Sequence, residues 1–210
     1  QASSPLPVSR PKPLWSEQNP EDWVRATHEA VHKLDTRARR AVKAVGLSGQ
    51  MHGATCLDDQ NKIIRPAILW NDGRSSANCA EMMAEMPSLT EITGNLAMPG
   101  FTAPKIHWMR QHEPENFRRI AKVLLPKDYV RFCLTGAFAS DMSDSAGTLW
   151  MNVERREWSE EVLALTGLTE KNMPELFEGS EPTAKLSAKI ADDWGMAQLP
   201  VAAGGGDNAA

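Results

Sequence analysis

The sequence predicts an α/β fold, and three observations carry that expectation. Helical patterns with legible caps recur along the chain, the first opening at Asn19-Pro20. Between them lie short apolar runs ending in turn residues, as in "AVKAVGLSGQ" (41–50), "KIIRPAILW" (62–70) and "KVLLP" (122–126). The polar, glycine-rich segments stand directly after such runs, where the ends of strands in α/β sheets open onto a crevice.

The elements follow in order. Residues 1–15 carry four prolines and read as an extended or edge segment. Asn19 is placed to cap a helix with Pro20 at its first position and Glu21 and Asp22 favourable in its first turn. Trp23, Ala26, Ala30, Val31 and Leu34 give that helix an apolar face broken by Thr27, and the pattern predicts that it runs to Arg37–Arg40. The run 41–50 predicts a buried strand. "ATCLDD" and "KIIRPAILW" flank a polar turn at Asp58–Asn61 and predict a hairpin. A helix is expected over 72–86. Two short helices are expected over 102–120, split at Glu113-Pro114. "KVLLPKDYVRFCLTG" predicts a strand, a proline, and a helix stopped by Gly136. Helices are expected near 159–165 and 184–194, before the apolar "LPVAAGGG".

Composition excludes several classes. With 210 residues, 41% of them hydrophobic and 24% charged, the chain is long enough for a sizeable core. The net charge of −4, with acids and bases interspersed, leaves no footprint for nucleic acid or anionic lipid. Cys56, Cys79 and Cys133 are odd in number and show neither CxxC nor zinc spacing, which favours a reducing cytoplasm. No stretch approaches a spanning helix. The first residue is Gln1 and the last residues read as the middle of a site, so both ends are expected to be cuts through a longer protein.

Four segments carry candidate chemistry. In "GLSGQMHGAT" (46–55), glycines around Gln50, Met51 and His52 let their backbone approach a ligand, the alternative being a tight turn with a surface histidine. "ILWNDGR" (68–74) offers the Trp70 face for stacking on a sugar ring or chain, or else a core tryptophan with Asn71 or Asp72 capping a helix. In "FASDMSDSAGT" (138–148), Asp141 and Asp144 have the chemistry for a hard cation, but Asx turns account for them without one, and that reading is preferred. "GGGDNAA" (204–210) is either a flexible linker or a close-contact loop. In the second case Asp207 could take a proton from an alcohol while Asn208 orients the same hydroxyl.

Taken together these motifs resemble the FGGY family of carbohydrate kinases, and its xylulose-phosphorylating members in particular. "GFTAPKIHWMRQH" (100–112) fits the family's first signature, and "SGQMHG", "AILWNDGR", "GNLAMPGFTAPK", "LLPKDY" and "SDMSDSAGT" stand in the family's order along the chain. The resemblance implies a ribonuclease-H-like domain of the actin/hexokinase-type ATPase class. It implies ATP-dependent phosphorylation of D-xylulose, or of another ketose or polyol such as ribulose, with Mg²⁺. Asp207 matches the catalytic base, Met51 and His52 the pair contacting the ketose, and Trp70 and Asn208 further walls of the sugar pocket. Lys105 belongs to the signature and is given no catalytic role.

Residues 1–203 then read as a partial N-terminal sugar-binding domain, and 204–210 as the start of an interdomain catalytic loop. The family's phosphate-loop hairpin and nucleotide domain have no counterpart in the sequence. Most contacts to ATP and Mg²⁺ are therefore expected elsewhere, and the isolated chain is expected to be inactive or merely sugar-binding. No nucleic-acid or membrane partner is expected; a homodimer is the assembly carried forward, since oligomeric state is not legible here.

Overall fold

The computed structural model describes residues 1–208. Asn19 caps the first helix as expected: its side chain accepts from the Glu21 N–H at 3.2 Å, and the helix covers Pro20–His32. It ends earlier than the pattern suggested. Lys33 closes it, and Asp35 restarts a short helix, Thr36–Ala41, by accepting from the N–H groups of Arg37 and Ala38. An aspartate offering its carboxylate to free N–H donors outcompetes continuation of the first helix.

The strands are short and their pairing is mixed. Glu17–Gln18 runs antiparallel to Ala67–Ile68, Ser9 bridges to Glu17, and Ala54 bridges to Ile68. Thr55–Leu57 pairs antiparallel with Lys122–Leu124. The expected turn at Asp58–Asn61 is present, with Leu57 bridged to Ile63 and the Asp58 carboxylate accepting from the N–H of Gln60 and Lys62. The 41–50 run makes a bridge at Val45 and a strand at Ser48–Gly49. Both lie parallel to the chain's last apolar segment, against Val201 and Gly205–Gly206. Pro200–Ala202 takes Pro182–Lys185 on its other side, antiparallel. Ala139–Asp141 runs parallel to Glu175–Phe177.

Most predicted helices are present. Thr102–His112 and Pro114–Arg118 break at Glu113-Pro114, and Pro126–Thr135 is stopped by Gly136 at φ 82°. Glu160–Thr166 begins at its Ser159 cap. Two starts are late. The helix expected over 72–86 is Ser76–Glu85, because the Asp72 carboxylate is taken by Arg74 and the Ser16 N–H. The helix expected over 184–194 is Ala188–Trp194, capped by Ser187, because 182–185 is drawn into strand pairing. Met142–Ala146 forms a one-turn helix where a turn was expected, and the hairpin Met151–Asn152/Glu157–Trp158 had no clear sequence signal.

The core has two clusters, one on each side of the central strands. Cys56, Ile68 and Val123 point to one, with Met82, Ile106, Met109, Trp150 and Leu163. Their neighbours Leu57, Leu69 and Leu124 point to the other, with Trp23, Tyr129, Leu134, Ile190, Trp194 and Val201. That is the two-residue alternation of a strand covered on both faces by helices. On the outside, Asp193 Oδ2 lies 3.0 Å from His28 Nδ1 and 3.1 Å from His32 Nε2, tying the first helix to the last. His28 Nδ1 also lies 2.9 Å from the buried Trp194 indole N–H. Among the described residues no helix is long and apolar enough to cross a membrane.

Candidate functional site

The site is built where the parallel strands Ser48–Gly49 and Gly205–Gly206 end together. Beyond the first of them, residues 50–53 lie on the start of the Pro126–Thr135 helix. A Cβ on Gly49 would stand 3.2 Å from Lys127 Cβ, and one on Gly53 would stand 2.5 Å from Pro126 Cγ. Glycine at 53 therefore permits an approach that a side chain would block.

His52 sits in this loop at φ 62°, in the left-handed region that residues other than glycine adopt uncommonly. Its carbonyl accepts from Lys105 Nζ at 2.8 Å and from Thr102 Oγ1 at 3.2 Å. Its ring packs edge-on against Phe101, centroids 4.7 Å apart, and Nδ1 lies 2.7 Å from the Gly147 carbonyl oxygen. Burial, helped by the Lys105 ammonium, pulls the His52 pKa down to about 4. The ring is thus neutral near pH 7. A carbonyl can only accept, so Nδ1 carries the proton and Nε2 keeps a free lone pair. Lys105 is fully buried, burial pulls its pKa down to about 7, and its contacts to the His52 and Gly100 carbonyls are structural.

The second strand leads into Asp207. Gly204, at φ 81°, passes so close to Leu47 that a Cβ would stand 1.9 Å from the Leu47 carbonyl oxygen. Its N–H donates to Gly179, that of Gly205 to Leu47, and that of Asp207 to the Gly49 carbonyl at 2.8 Å. The Asp207 backbone is therefore tied to the residue just before Gln50, Met51 and His52. Asp207 and Asn208 are exposed, while Met51 and His52 are half-buried. Of the 204–210 motif, Gly205–Gly206 is a paired strand end, so that part is not a flexible linker; Ala209 and Ala210 lie outside the described residues.

Trp70 is placed differently. Its ring is 48% exposed, so it is not a core tryptophan, and neither Asn71 nor Asp72 caps the following helix. It lines an adjoining cleft of about 440 Å³ with Gln50, Asn71, Trp23 and Lys127. That cleft does not include Met51, His52 or Asp207. The link is through backbone: the Trp70 carbonyl would be 2.8 Å from a Cβ on Gly100, whose carbonyl is held by Lys105. Asp72 and Arg74 turn away from the crevice. Arg74 pairs with Asp72 and Glu17 at 2.7 Å, and its guanidinium stacks 3.6 Å above Trp15.

A buried ionic cluster under the site was not foreseen. Lys127 Nζ lies 2.8 Å from Asp128, 2.7 Å from Asp141 and 3.1 Å from Asp144, with side-chain exposure of 1% or less throughout. Arg131 pairs with Asp128 at 2.7 Å and donates to the carbonyls of Ala139 and Ala203. The lysine–aspartate pair in "LLPKDY" and the two acids of "SDMSDSAGT" were visible, but charged residues are rarely buried and nothing local shows that they meet. The Asp141 carboxylate caps the Asp144 N–H at 3.0 Å, as the Asx reading requires. The position between the three carboxylates is taken by the lysine ammonium, so this cluster does not fit a divalent cation.

Comparison with known proteins agrees with this fold. The chain matches the FGGY family of carbohydrate kinases, N-terminal domain, over residues 1–210, and it belongs to that family. Its mixed α/β architecture is that of the actin/hexokinase-type ATPases. It is 58% identical over 206 residues to the xylulose kinase of Escherichia coli (strain K12), covering 98% of this chain and 43% of that protein. The crystal structure of a xyloylose kinase from Brucella ovis superposes with a TM-score of 0.96 at 51% identity, over 99% of this chain and 44% of the other. A glycerol kinase of Plasmodium falciparum shares the fold alone, with a TM-score of 0.89 at 20% identity, over 98% of this chain and 43% of that one. The chain thus spans less than half the length of the relatives it matches.

Proposed function

We propose that this chain is the sugar-binding part of an ATP-dependent kinase that phosphorylates D-xylulose, with Asp207 as general base. The observation that carries the reading is the 2.8 Å bond from the Asp207 N–H to the Gly49 carbonyl, which brings an exposed carboxylate to the loop bearing Met51 and His52. The names of the E. coli and B. ovis relatives support the sugar.

On this reading His52 Nε2 accepts from a ketose hydroxyl, Met51 covers the chain of the sugar, and Asn208 orients the reacting hydroxyl. Trp70 walls the pocket from the adjoining cleft. Asp207 takes the hydroxyl proton as the oxygen bonds to the γ-phosphorus of ATP and ADP departs. Phosphoryl transfer asks little of the protein beyond such placement and charge neutralisation. Residues 1–203 then form the sugar domain and 204–210 the entry to the catalytic loop. ATP is the donor substrate and Mg²⁺ would shield its phosphates. Because Lys127 occupies the acidic cluster, no residue here is assigned to the metal.

The test is Asp207→Asn in the whole kinase, followed by coupled ADP release. Turnover should fall about 10²–10⁴-fold, the usual contribution of a general base, with xylulose binding kept. Surviving turnover would remove Asp207 from the role. A panel of ketoses and polyols tests the sugar: faster turnover of ribulose or a polyol than of xylulose would reassign it.

A further inference from the structure

Two motifs have no part in that reaction, Leu124–Tyr129 and Ser140–Thr148, yet they meet in one buried cluster beneath it. The one-turn helix Met142–Ala146 stands between the two halves of the site. On one side its Asp144 Oδ1 lies 2.9 Å from where a Gly206 Cβ would be, one residue before Asp207. On the other side the Gly147 N–H donates to the Asp144 carbonyl at 3.0 Å, and the Gly147 carbonyl receives the His52 Nδ1 proton at 2.7 Å. The helix is held from below by Lys127, whose own Cβ supports Gly49.

We propose that Asp144, held by Lys127, is a positioning residue that sets the placement of the Asp207 loop relative to His52. The inference rests on the kinase reading of this site. The geometry is specific. Asp144 is fully enclosed, its Oδ2 meets only the Lys127 ammonium, and its Oδ1 is turned to a residue that must be glycine to leave room for it. Removing the charge frees Lys127 from one of three carboxylates and loosens a turn that contacts both halves. An error of about 1 Å in such a placement costs on the order of 10²-fold in rate.

The charged groups facing Asp144 are Lys127, Asp128 and Asp141 in the cluster, with Arg131 behind Asp128; the neutral His52 ring lies at the far end of the helix, against the Gly147 carbonyl. Burial raises the Asp144 pKa to about 6 against the pull of Lys127. Turnover should therefore rise through an acid limb near pH 6 as the Asp144–Lys127 pair forms.

The experiment compares Asp144→Asn, Gly206→Ala and Asp207→Asn in the whole kinase, measuring kcat, sugar KM and the pH profile. Asp144→Asn is expected to lower kcat about tenfold or more, as a misplaced base would, to raise sugar KM, and to lose the limb near pH 6. Gly206→Ala pushes on Asp144 Oδ1, and on Asn208 Oδ1 at 2.8 Å, without removing charge, so it should lower kcat while keeping the limb. If Asp144→Asn cannot be purified folded, Gly206→Ala with wild-type kcat overturns the proposal. Wild-type kinetics and pH profile in Asp144→Asn overturn it as well, provided Asp207→Asn is inactive. Turnover surviving in Asp207→Asn instead sinks the base assignment, whatever Asp144 does.

Discussion

At the scale of single residues, His52 and Asp144 pull the stability of the domain in opposite directions with pH. The His52 pKa falls from 6.5 to about 4 on folding. Between those values the unfolded chain binds a proton that the folded chain refuses, so this contribution is complete above pH 6.5 and lost as pH falls towards 4. The Asp144 pKa rises from 3.8 to about 6. Here the folded state holds the extra proton, so the contribution is present below pH 3.8 and lost as pH rises through 6. His52→Gln should remove the first slope alone. Urea titrations from pH 4 to 7 should show the gap between wild type and variant changing in favour of wild type as pH rises. A gap independent of pH would mean that His52 is not held neutral. Met51, His52, Asp207 and Asn208 were legible as residues because each follows an apolar run and sits among glycines. What Trp70 touches was not legible: a tryptophan after a strand reads alike whether it enters the core or, as here, lies half exposed.

At the scale of elements, the helix ends were the most readable features. Asn19 caps, Gly136 stops, Pro114 separates two helices and one helix begins at Ser159, each through chemistry confined to a few residues, whereas the Ser187 cap was not read. The strands were harder, since most are two or three residues long and gain their conformation only from a partner. Ala184 and Lys185 show this: expected at the start of a helix, they are strand because Pro200–Ala202 lies beside them. The close pairing of Gly204–Gly206 with Leu47–Gly49 makes a sharp prediction. Gly204→Ala places a Cβ 1.9 Å from the Leu47 carbonyl at a φ of 81°. Backbone strain of about 1–3 kcal/mol adds to that clash, so the melting temperature and kinase activity should both drop. A variant with unchanged melting temperature would show that the two segments do not run this closely together.

At the scale of the whole molecule, the central strands divide two hydrophobic clusters. Ile106 and Leu134 are fully buried, one in each. Either one changed to Ala should cost about 2–5 kcal/mol. The costs should add within about 0.5 kcal/mol, as for independent sites. Strong non-additivity in denaturant titrations would show one continuous core.

The amino-acid sequence by itself determined the α/β class, the Asn19 cap, the Gly136 stop, the turn at Asp58–Asn61 and the residue types of the candidate site, because each depends on neighbours a few positions apart. Only the tertiary structure decided that Asp207 is tied to Gly49 and that Lys127, Arg131 and Asp144 are buried together beneath them. Those contacts join distant parts of the chain. Whether a charged side chain is solvated or enclosed depends on the partners that folding brings to it, not on the residues beside it in sequence.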